Sequence, residues 1–381
     1  MDFRFTSEEE AFQKEVRQFL NREVTPGVRE EFKQHSWGRE VFQLMRNLGK
    51  KGWLCPSWPP EYGGIGAPFM QRYILSEELA YRGATSNGVG VSMAGPVIMM
   101  FGTDEQKRDY LPRIARGETE FALGYTEPHA GSDLAALEIR AVEDSDYYIM
   151  NGQKVFNTAC HYAEYHWLGA RTDPNAPKHR GVSLFIVDLK SPGITIRPLY
   201  GMGGWRTNEV FYDNVRVPKK NLVGELNRGF YHIAVALDLE RGGPTGASLR
   251  HFEELAHYVR QIPALAKDPR VQQKLAELAI EVEVTRLLAL RVAWMRDSGI
   301  VPNYEAAILK LFRSELDQRL ANAGMQILGL YGQLQTGSKR VPLGGEVEWR
   351  YRDSVLETII AGTSEIQRNI IAIRGLGLPR G

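Results

Sequence analysis

GVSLFIVDLKSPGITIRPL, residues 181–199, decides the class of fold. Its two halves, GVSLFIVDL (181–189) and ITIRPL (194–199), read as strands around a Ser191-Pro192-Gly193 turn. NEVFYDNVRVP, which follows, reads as a further strand. Asn151-Gly152, between DYYIM and QKVFNT, carries a hairpin-turn signal. A strand region is therefore expected over 121–227. To either side the pattern is helical. Ser7 and Glu10 have capping-box spacing, and Gln71–Tyr81 shows apolar residues at helical intervals, with Glu77 and Glu78 assigned to the wet face. Beyond Arg228, Val271, Leu275, Leu278 and Val282 share one face of a long helix, and a second helix is expected over Tyr304–Leu330. Helices, then strands, then helices predict an α+β fold in three domains: 1–120 helical, 121–227 β, and 228–381 a helical bundle.

The 381 residues exceed one ordinary core, and 43% hydrophobic with 24% charged residues describe a soluble globular chain. Lys+Arg 47 against Asp+Glu 46 gives +1, so nothing favours nucleic acid or an anionic membrane surface. Cys55 and Cys160 form neither a disulfide framework nor a metal cluster, and no metal-ligand spacing links the eight histidines. The first residues lack the apolar core of a signal peptide, and the run Gly88–Gly102 is too short for a membrane helix. A cytoplasmic protein, or a mature organellar form, is expected. No P-loop, GxSxG or Rossmann GxGxxG is present. His129, His161 and His166 read as polar surface or loop residues.

Three stretches carry chemistry. YTEPHAGSD (125–133) is a turn rich in small and hydroxylated residues, suited to a polar anionic group. QKVFNTA (153–159) places Phe156 two residues before Thr158, which on a strand would share a face and could stack on, and hydrogen-bond to, a flat heterocycle. LETIIAGTSEIQRNII (356–371) is the third. In this order the three resemble the acyl-CoA dehydrogenase family, whose (T)EPxAGSD and SEIQR signatures they match, and the resemblance covers essentially the whole chain.

That resemblance implies the family's fold, with a middle domain of barrel or sandwich type, FAD as cofactor and an acyl-CoA thioester as substrate. It implies that Tyr125 and Thr126 meet the flavin ring, and that Gly131 and Ser132 lie by the pyrophosphate and the thioester. It sets Phe156 against the flavin, Thr158 at N5, and Thr363 and Glu365 at the adenine end. The reaction implied is α,β-dehydrogenation, with electrons passing to an acceptor of the electron-transfer flavoprotein type. Family members that act as oxidases or monooxygenases on the same fold are the alternative chemistry.

Many members carry their catalytic glutamate where this chain has Ala361, which cannot take a proton. The family's other position is met in AVALDLERGGPTGASLR (234–250), where Glu240 directly precedes Arg241. Independently of family, Ile233, Leu237 and Glu240 fall at i, i+4 and i+7 on an apolar stripe. Pro244 would clash with the carbonyl of residue 240 in an undisturbed helix. Glu240 is thus the expected base, in a distorted helix end, and Arg241 the expected orienting or neutralising charge beside the substrate. The chain also lacks the family's Arg-x-Phe-Gly stretch within 257–273, has Leu330 where a Gly near the neighbouring flavin is common, and carries a longer loop over 335–350. Those departures leave open a homotetramer, a heterotetramer with a homologous subunit, and a non-catalytic subunit.

Overall fold

The computed structural model describes residues 3–34, 36–86, 88–240 and 243–379, and for residues 238–240 the backbone alone. In chain order the helices are α1 (Ser7–Glu23), α2 (Pro26–Lys33), α3 (Arg39–Lys50), α4 (Phe69–Tyr81), α5 (Gly95–Phe101) and α6 (Asp104–Ala115). Eight strands follow: β1 (Phe121–Gly124), β2 (Arg140–Asp144), β3 (Tyr147–Lys154), β4 (Tyr165–Arg171), β5 (Val182–Asp188), β6 (Ile194–Tyr200), β7 (Arg206–Pro218) and β8 (Leu222–Val223). Then come α7 (Gly229–Glu240), α8 (Gly246–Gln261), α9 (Pro263–Ala266), α10 (Pro269–Asp297), α11 (Tyr304–Leu328), α12 (Glu346–Glu357) and α13 (Ser364–Ile370). The fold is α+β, and it divides into two compact units that interleave along the chain. One comprises Glu23–Ala67 and Thr85–Glu240; the other comprises Met1–Arg22, Pro68–Ala84 and Arg241–Gly381.

The first unit is built on a mixed sheet in the order β6-β7-β3-β2-β4-β5-β8, with β1 pairing parallel to β4. β5 is buried along all but its last residue, because α7 covers it. Its apolar run therefore shows none of the alternation seen in β6, whose side chains reach solvent. Gly229 lets α7 begin against β5: a Cβ there would lie 2.5 Å from the Ser183 carbonyl carbon. β5 and β6 are both strands, as expected, yet they pair with different neighbours.

The hairpin expected at Asn151-Gly152 lies elsewhere. β2 and β3 turn at Ser145-Asp146, with Ser145 at φ 51°, while β3 runs straight through Asn151-Gly152 as an irregularity in its pairing with β7. The extra residue of that irregularity lies on β7, where Asp213 and Asn214 stand between the partners of Met150 and Gly152; Asn214 takes φ 50° and Gly152 φ 145°.

Thr103 and Gln106 form a capping box at the start of α6, and Gln106 Nε2 also donates to the carbonyls of Lys220 (2.8 Å) and Leu222 (2.9 Å). Ahead of β1, the buried Glu120 accepts from Gly90 N (2.7 Å) and Phe121 N (2.8 Å).

The second unit is a helical bundle. Leu278 and Val282 of α10 pack with Leu316, Leu320 and Ala323 of α11, and Leu249 and Phe252 of α8 close over them. A second cluster joins Ala289 and Val292 to Leu309, with Tyr73 of α4 against it. Asp297, at the end of α10, accepts from Phe69 N (2.5 Å) and Met70 N (2.9 Å) and so caps α4. The capping box of α1 is Thr6 with Glu9 rather than Ser7 with Glu10: Thr6 N donates to Glu9 Oε2 (2.7 Å) and Glu9 N to Thr6 Oγ1 (3.2 Å). Glu78 is not on a wet face. It is buried, bonded to Arg17 (2.8 Å) and Arg82 (2.7 Å), because α1 covers that side of α4. Among the described residues, no helix is long and apolar enough to cross a membrane.

Burial pushes the Glu120 carboxyl up to about 7 from an ordinary value near 4.5. Between those values the folded chain keeps a proton that the unfolded chain releases, so this group's contribution to stability falls as pH rises from about 5 to 7. Urea denaturation at pH 5.0 and 7.5 should therefore show a loss of stability that shrinks in Glu120→Gln, by at most about 3 kcal/mol. An unchanged loss would remove Glu120 as its source.

Candidate functional site

In the sheet unit, the residues expected to face the flavin lie on two adjoining stretches. The first leaves β1 and runs through Tyr125 and Thr126 to Gly131 and Ser132; the second leaves β3 and runs through Phe156 to Thr158. Val155 N donates to the Thr126 carbonyl at 3.0 Å, which sews the two together. Tyr125 is buried, Thr126 and Thr158 are half-buried, and Gly131 and Ser132 are exposed. A Cβ on Gly131 would meet nothing within 4 Å, so the loop there borders open space.

Phe156 and Thr158 do not share a strand face. β3 stops at Lys154, and the backbone of Phe156 enters the left-handed region at φ 56°, with Ala159 following at φ 76°. Two non-glycine residues in that region within four positions mark stored strain. The effect is to turn the Phe156 ring outward: it is 61% exposed, whereas Val155 and Asn157 on either side are buried. A large ring held in solvent by a strained backbone is a ready stacking surface.

The strain is held by hydrogen bonds. Asn157 N donates to the Asn208 carbonyl (2.9 Å), and Asn208 Nδ2 donates back to the Asn157 carbonyl (2.9 Å). Asn208 Nδ2 also reaches His161 Nδ1 at 3.2 Å. Burial and the Arg206 charge hold His161 down at about 4, so it is neutral at pH 7. Asn157 Oδ1 and His161 Nε2 are buried without a hydrogen-bond partner. An outward aromatic, an open glycine loop and unmatched polar atoms behind them fit a flat heterocycle with a polar edge.

Two residues of this site were not expected from the sequence. Lys154 Nζ, fully buried, donates to Glu127 Oε1 (2.8 Å) and to the Tyr125 carbonyl (3.0 Å). Glu127, also buried, accepts in addition from Glu138 N (2.6 Å) and Ile139 N (3.0 Å). Burial lowers Lys154 to about 8 against the opposing pull of Glu127. Alternation could have flagged Lys154 as inward, since it keeps the phase of the buried Tyr148 and Met150. His166 is a second correction. It is no surface or loop residue but a fully buried member of β4, with Nδ1 2.5 Å from the Tyr212 hydroxyl, and desolvation lowers it to about 3. His129 is exposed on its loop, as expected.

In the bundle unit, Thr363 caps α13, its hydroxyl accepting from Ile366 N, and Glu365 is exposed on the first turn. Ala361 is exposed at φ 52° beside Gly362 at φ 84°, and Gln367 Nε2 donates to both their carbonyls at 3.1 Å. The signature GTSEIQR is thus a helix start with its own internal bracing. Glu240 supplies the last backbone of α7, residues 243–245 are not helical, and α8 starts at Gly246. The Glu240 side chain and Arg241 lie outside the described residues.

Family models for the acyl-CoA dehydrogenase N-terminal, middle and C-terminal domains match residues 6–118, 122–215 and 227–376. The acyl-CoA dehydrogenase FadE26 of Mycobacterium tuberculosis is 36% identical over 398 residues, covering 100% of this chain and 99% of its own. Among solved structures, the Tcur3481-Tcur3483 steroid ACAD aligns at TM-score 0.95 with 34% identity over 100% of both chains. The ChsE4-ChsE5 complex from Mycobacterium tuberculosis aligns at 0.92 with 35% identity, again over 100% of both.

Replacing Lys154 by Met strands the Glu127 carboxylate in the interior, which should cost about 3–5 kcal/mol in urea denaturation. The double change Lys154→Met with Glu127→Gln should cost less than Lys154→Met alone. A double variant as unstable as the single one would mean the pair's charges are not what matters.

Proposed function

This chain belongs to the acyl-CoA dehydrogenase family of oxidoreductases, and we propose that it removes the α and β hydrogens of an acyl-CoA thioester with Glu240 as base. The observation that carries the proposal is the pairing of a strained, outward Phe156 platform with a glutamate at the end of α7, in a chain whose position 361 is alanine.

Family members are flavoproteins, and FAD is the proposed cofactor. Tyr125, Thr126, Phe156 and Thr158 would hold its ring, Gly131 and Ser132 its pyrophosphate, and Thr363 and Glu365 its adenine end. When bound, FAD supplies the acceptor for the β hydride. The chain's own work is to align the acyl group, exclude water and take a proton. Glu240 receives the α proton, for which a carboxyl raised toward neutrality by burial is suited. Backbone N–H groups released where α7 breaks would polarise the thioester carbonyl, on which negative charge develops as the proton leaves. Arg241, next in the chain, would offset that charge and orient the thioester, with Ser132 beside it.

A heteromeric assembly is the reading that the surface favours. Leu330 is 83% exposed, Tyr331 beside it is exposed, and α10 presents Ile280 at 66%. Exposed apolar side chains such as these are available for cover by a partner. The absent Arg-x-Phe-Gly stretch removes the side chain by which a second copy would reach this chain's flavin. Two of the similar structures are themselves named as pairs of different chains, one of them a steroid enzyme. We propose a homologous subunit as partner, a bulky, ring-bearing acyl group as substrate, and an electron-transfer flavoprotein as acceptor.

Purified with its co-expressed homologous partner, the protein should bleach its flavin absorbance on addition of a ring-bearing acyl-CoA. Glu240→Gln should retain FAD and lose that bleaching by at least about 1,000-fold in rate. Full bleaching in the variant would sink the assignment of the base. No bleaching by any thioester in the wild-type pair would favour a non-catalytic subunit, and rapid oxygen consumption without an acceptor would favour an oxidase.

A further inference from the structure

Along α4, Tyr73, Glu77 and Tyr81 stand at i, i+4 and i+8, a spacing that sets two phenol rings and a carboxyl on one helix face. That face borders a cavity of about 620 Å³, lined wholly by residues of the bundle unit. α8 contributes Leu249 and Glu253 to its wall, α10 contributes Val282 and Glu283, and Phe5 lines it from ahead of α1. Gly246 brings the start of α8 so close to α4 that a Cβ would stand 2.3 Å from the Glu77 carbonyl oxygen. The volume is that of a small-molecule site, and the space between bundle helices is a usual place for one.

The charges around the cavity are unequally matched. Glu78 accepts from Gln13 (2.9 Å), Arg17 (2.8 Å) and Arg82 (2.7 Å). Arg286 holds Glu283 through two bonds of 2.9 and 2.6 Å. Each guanidinium lining the cavity thus already has a carboxylate, which leaves little for an anionic ligand. Glu77 and Glu253 meet other groups. Glu77 accepts from Thr245 N at 2.8 Å through Oε1 and from Thr245 Oγ1 at 3.1 Å through Oε2, and Glu253 Oε2 accepts from Tyr81 Oη at 2.6 Å. A carboxylate offers about four lone-pair sites, so Glu77 can still take a further donor.

Burial pushes the Glu77 carboxyl up to about 7, against the pull of the Thr245 bonds and the Arg313 charge. A cation seated beside it would offset that cost by pairing with the ionised form. Burial and the Glu77 charge push the Tyr73 phenol well above its usual value, so the ring stays neutral and its face attracts a cation. A metal ion suits the cavity less well, because no metal-binding cluster of His, Cys, Asp or Glu occurs among the described residues. We propose that this cavity binds a small organic ammonium ion, with Glu77 as counter-ion, Tyr73 and Tyr81 as aromatic walls, and Leu249 and Val282 against its apolar body. Nothing in the site depends on Glu240 or on the flavin.

The charged and titratable groups around Glu77 are Tyr73 and Tyr81 on its own helix, Glu253 from α8, Glu283 and Arg286 from α10, Arg17 from α1 and Arg313 from α11. Arg286 holds Glu283 below the usual carboxylate range. Glu77 is therefore the group whose ionisation between pH 6 and pH 8 should govern binding.

Calorimetric titration of the full chain with choline, and with the neutral alcohol in which carbon replaces its nitrogen, provides the test. Choline should bind at least about tenfold more tightly than the alcohol. Only the ionised carboxyl pairs with it, so its affinity should rise about tenfold from pH 6 to pH 8. Glu77→Gln keeps an acceptor for Thr245; it should abolish both the pH dependence and the preference for charge, with thermal unfolding nearly unchanged. If that variant fails to fold, Tyr81→Leu decides, and it should weaken choline about fivefold while leaving the alcohol unaffected. Equal binding of choline and alcohol would mark an apolar cleft and overturn the proposal. So would a lack of binding by both choline and butylammonium, or an unchanged choline affinity in Glu77→Gln.

Discussion

The buried Lys154–Glu127 pair is the interaction on which the proposed flavin-facing surface depends. It joins three stretches of chain: the exit of β1 at Tyr125, the end of β3, and residues 138–139 ahead of β2. Charges taken out of water are costly, and a well-packed apolar pair of equal volume would often be as stable or more so. What an apolar pair cannot do is satisfy the Tyr125 carbonyl and two backbone N–H groups at once. The backbone at this site is irregular, and irregular buried backbone leaves polar groups that need partners.

The same constraint explains how Phe156 can be held against its preferences. A left-handed phenylalanine, followed by a left-handed alanine three residues on, survives only if its surroundings over-determine it. Lys154 pins the strand end just before it. The reciprocal Asn157–Asn208 bonds pin the backbone just after it. Between those two anchors the ring has nowhere to fold back, and its exposure follows from the anchors rather than from any property of phenylalanine.

Much of this was legible from residue patterns. Helices flanking a strand region needed only periodicity, and the three signature stretches were read from their resemblance to a known family. The misreadings share a cause, which is that tertiary context reassigns residues whose local meaning is ambiguous. Asn151-Gly152 suits a hairpin turn, but pairing with β7 carries β3 straight through it. Glu78 looks wet on α4 alone and is buried once α1 brings Arg17 over it. A histidine between a tyrosine and a tryptophan reads as surface until β1 and β5 enclose β4 and Tyr212 meets the ring. Lys154 is the plainest case, since a lysine at a strand end ordinarily faces water and only the carboxylate of Glu127, 27 positions earlier, makes its burial tolerable.

Each unit answers the same physical problem in the same way. In the sheet unit a buried charge holds the irregular stretch that bears the platform; in the bundle, Glu77, Arg313 and Asp317 hold Pro244, Thr245 and the first turn of α8. Apolar packing orders regular elements well, because helices and strands satisfy their own backbone. A break such as the one after α7 cannot, and its groups must be met one by one by side chains with the right donors and acceptors. At these two places a buried charge keeps an open stretch of backbone in one position.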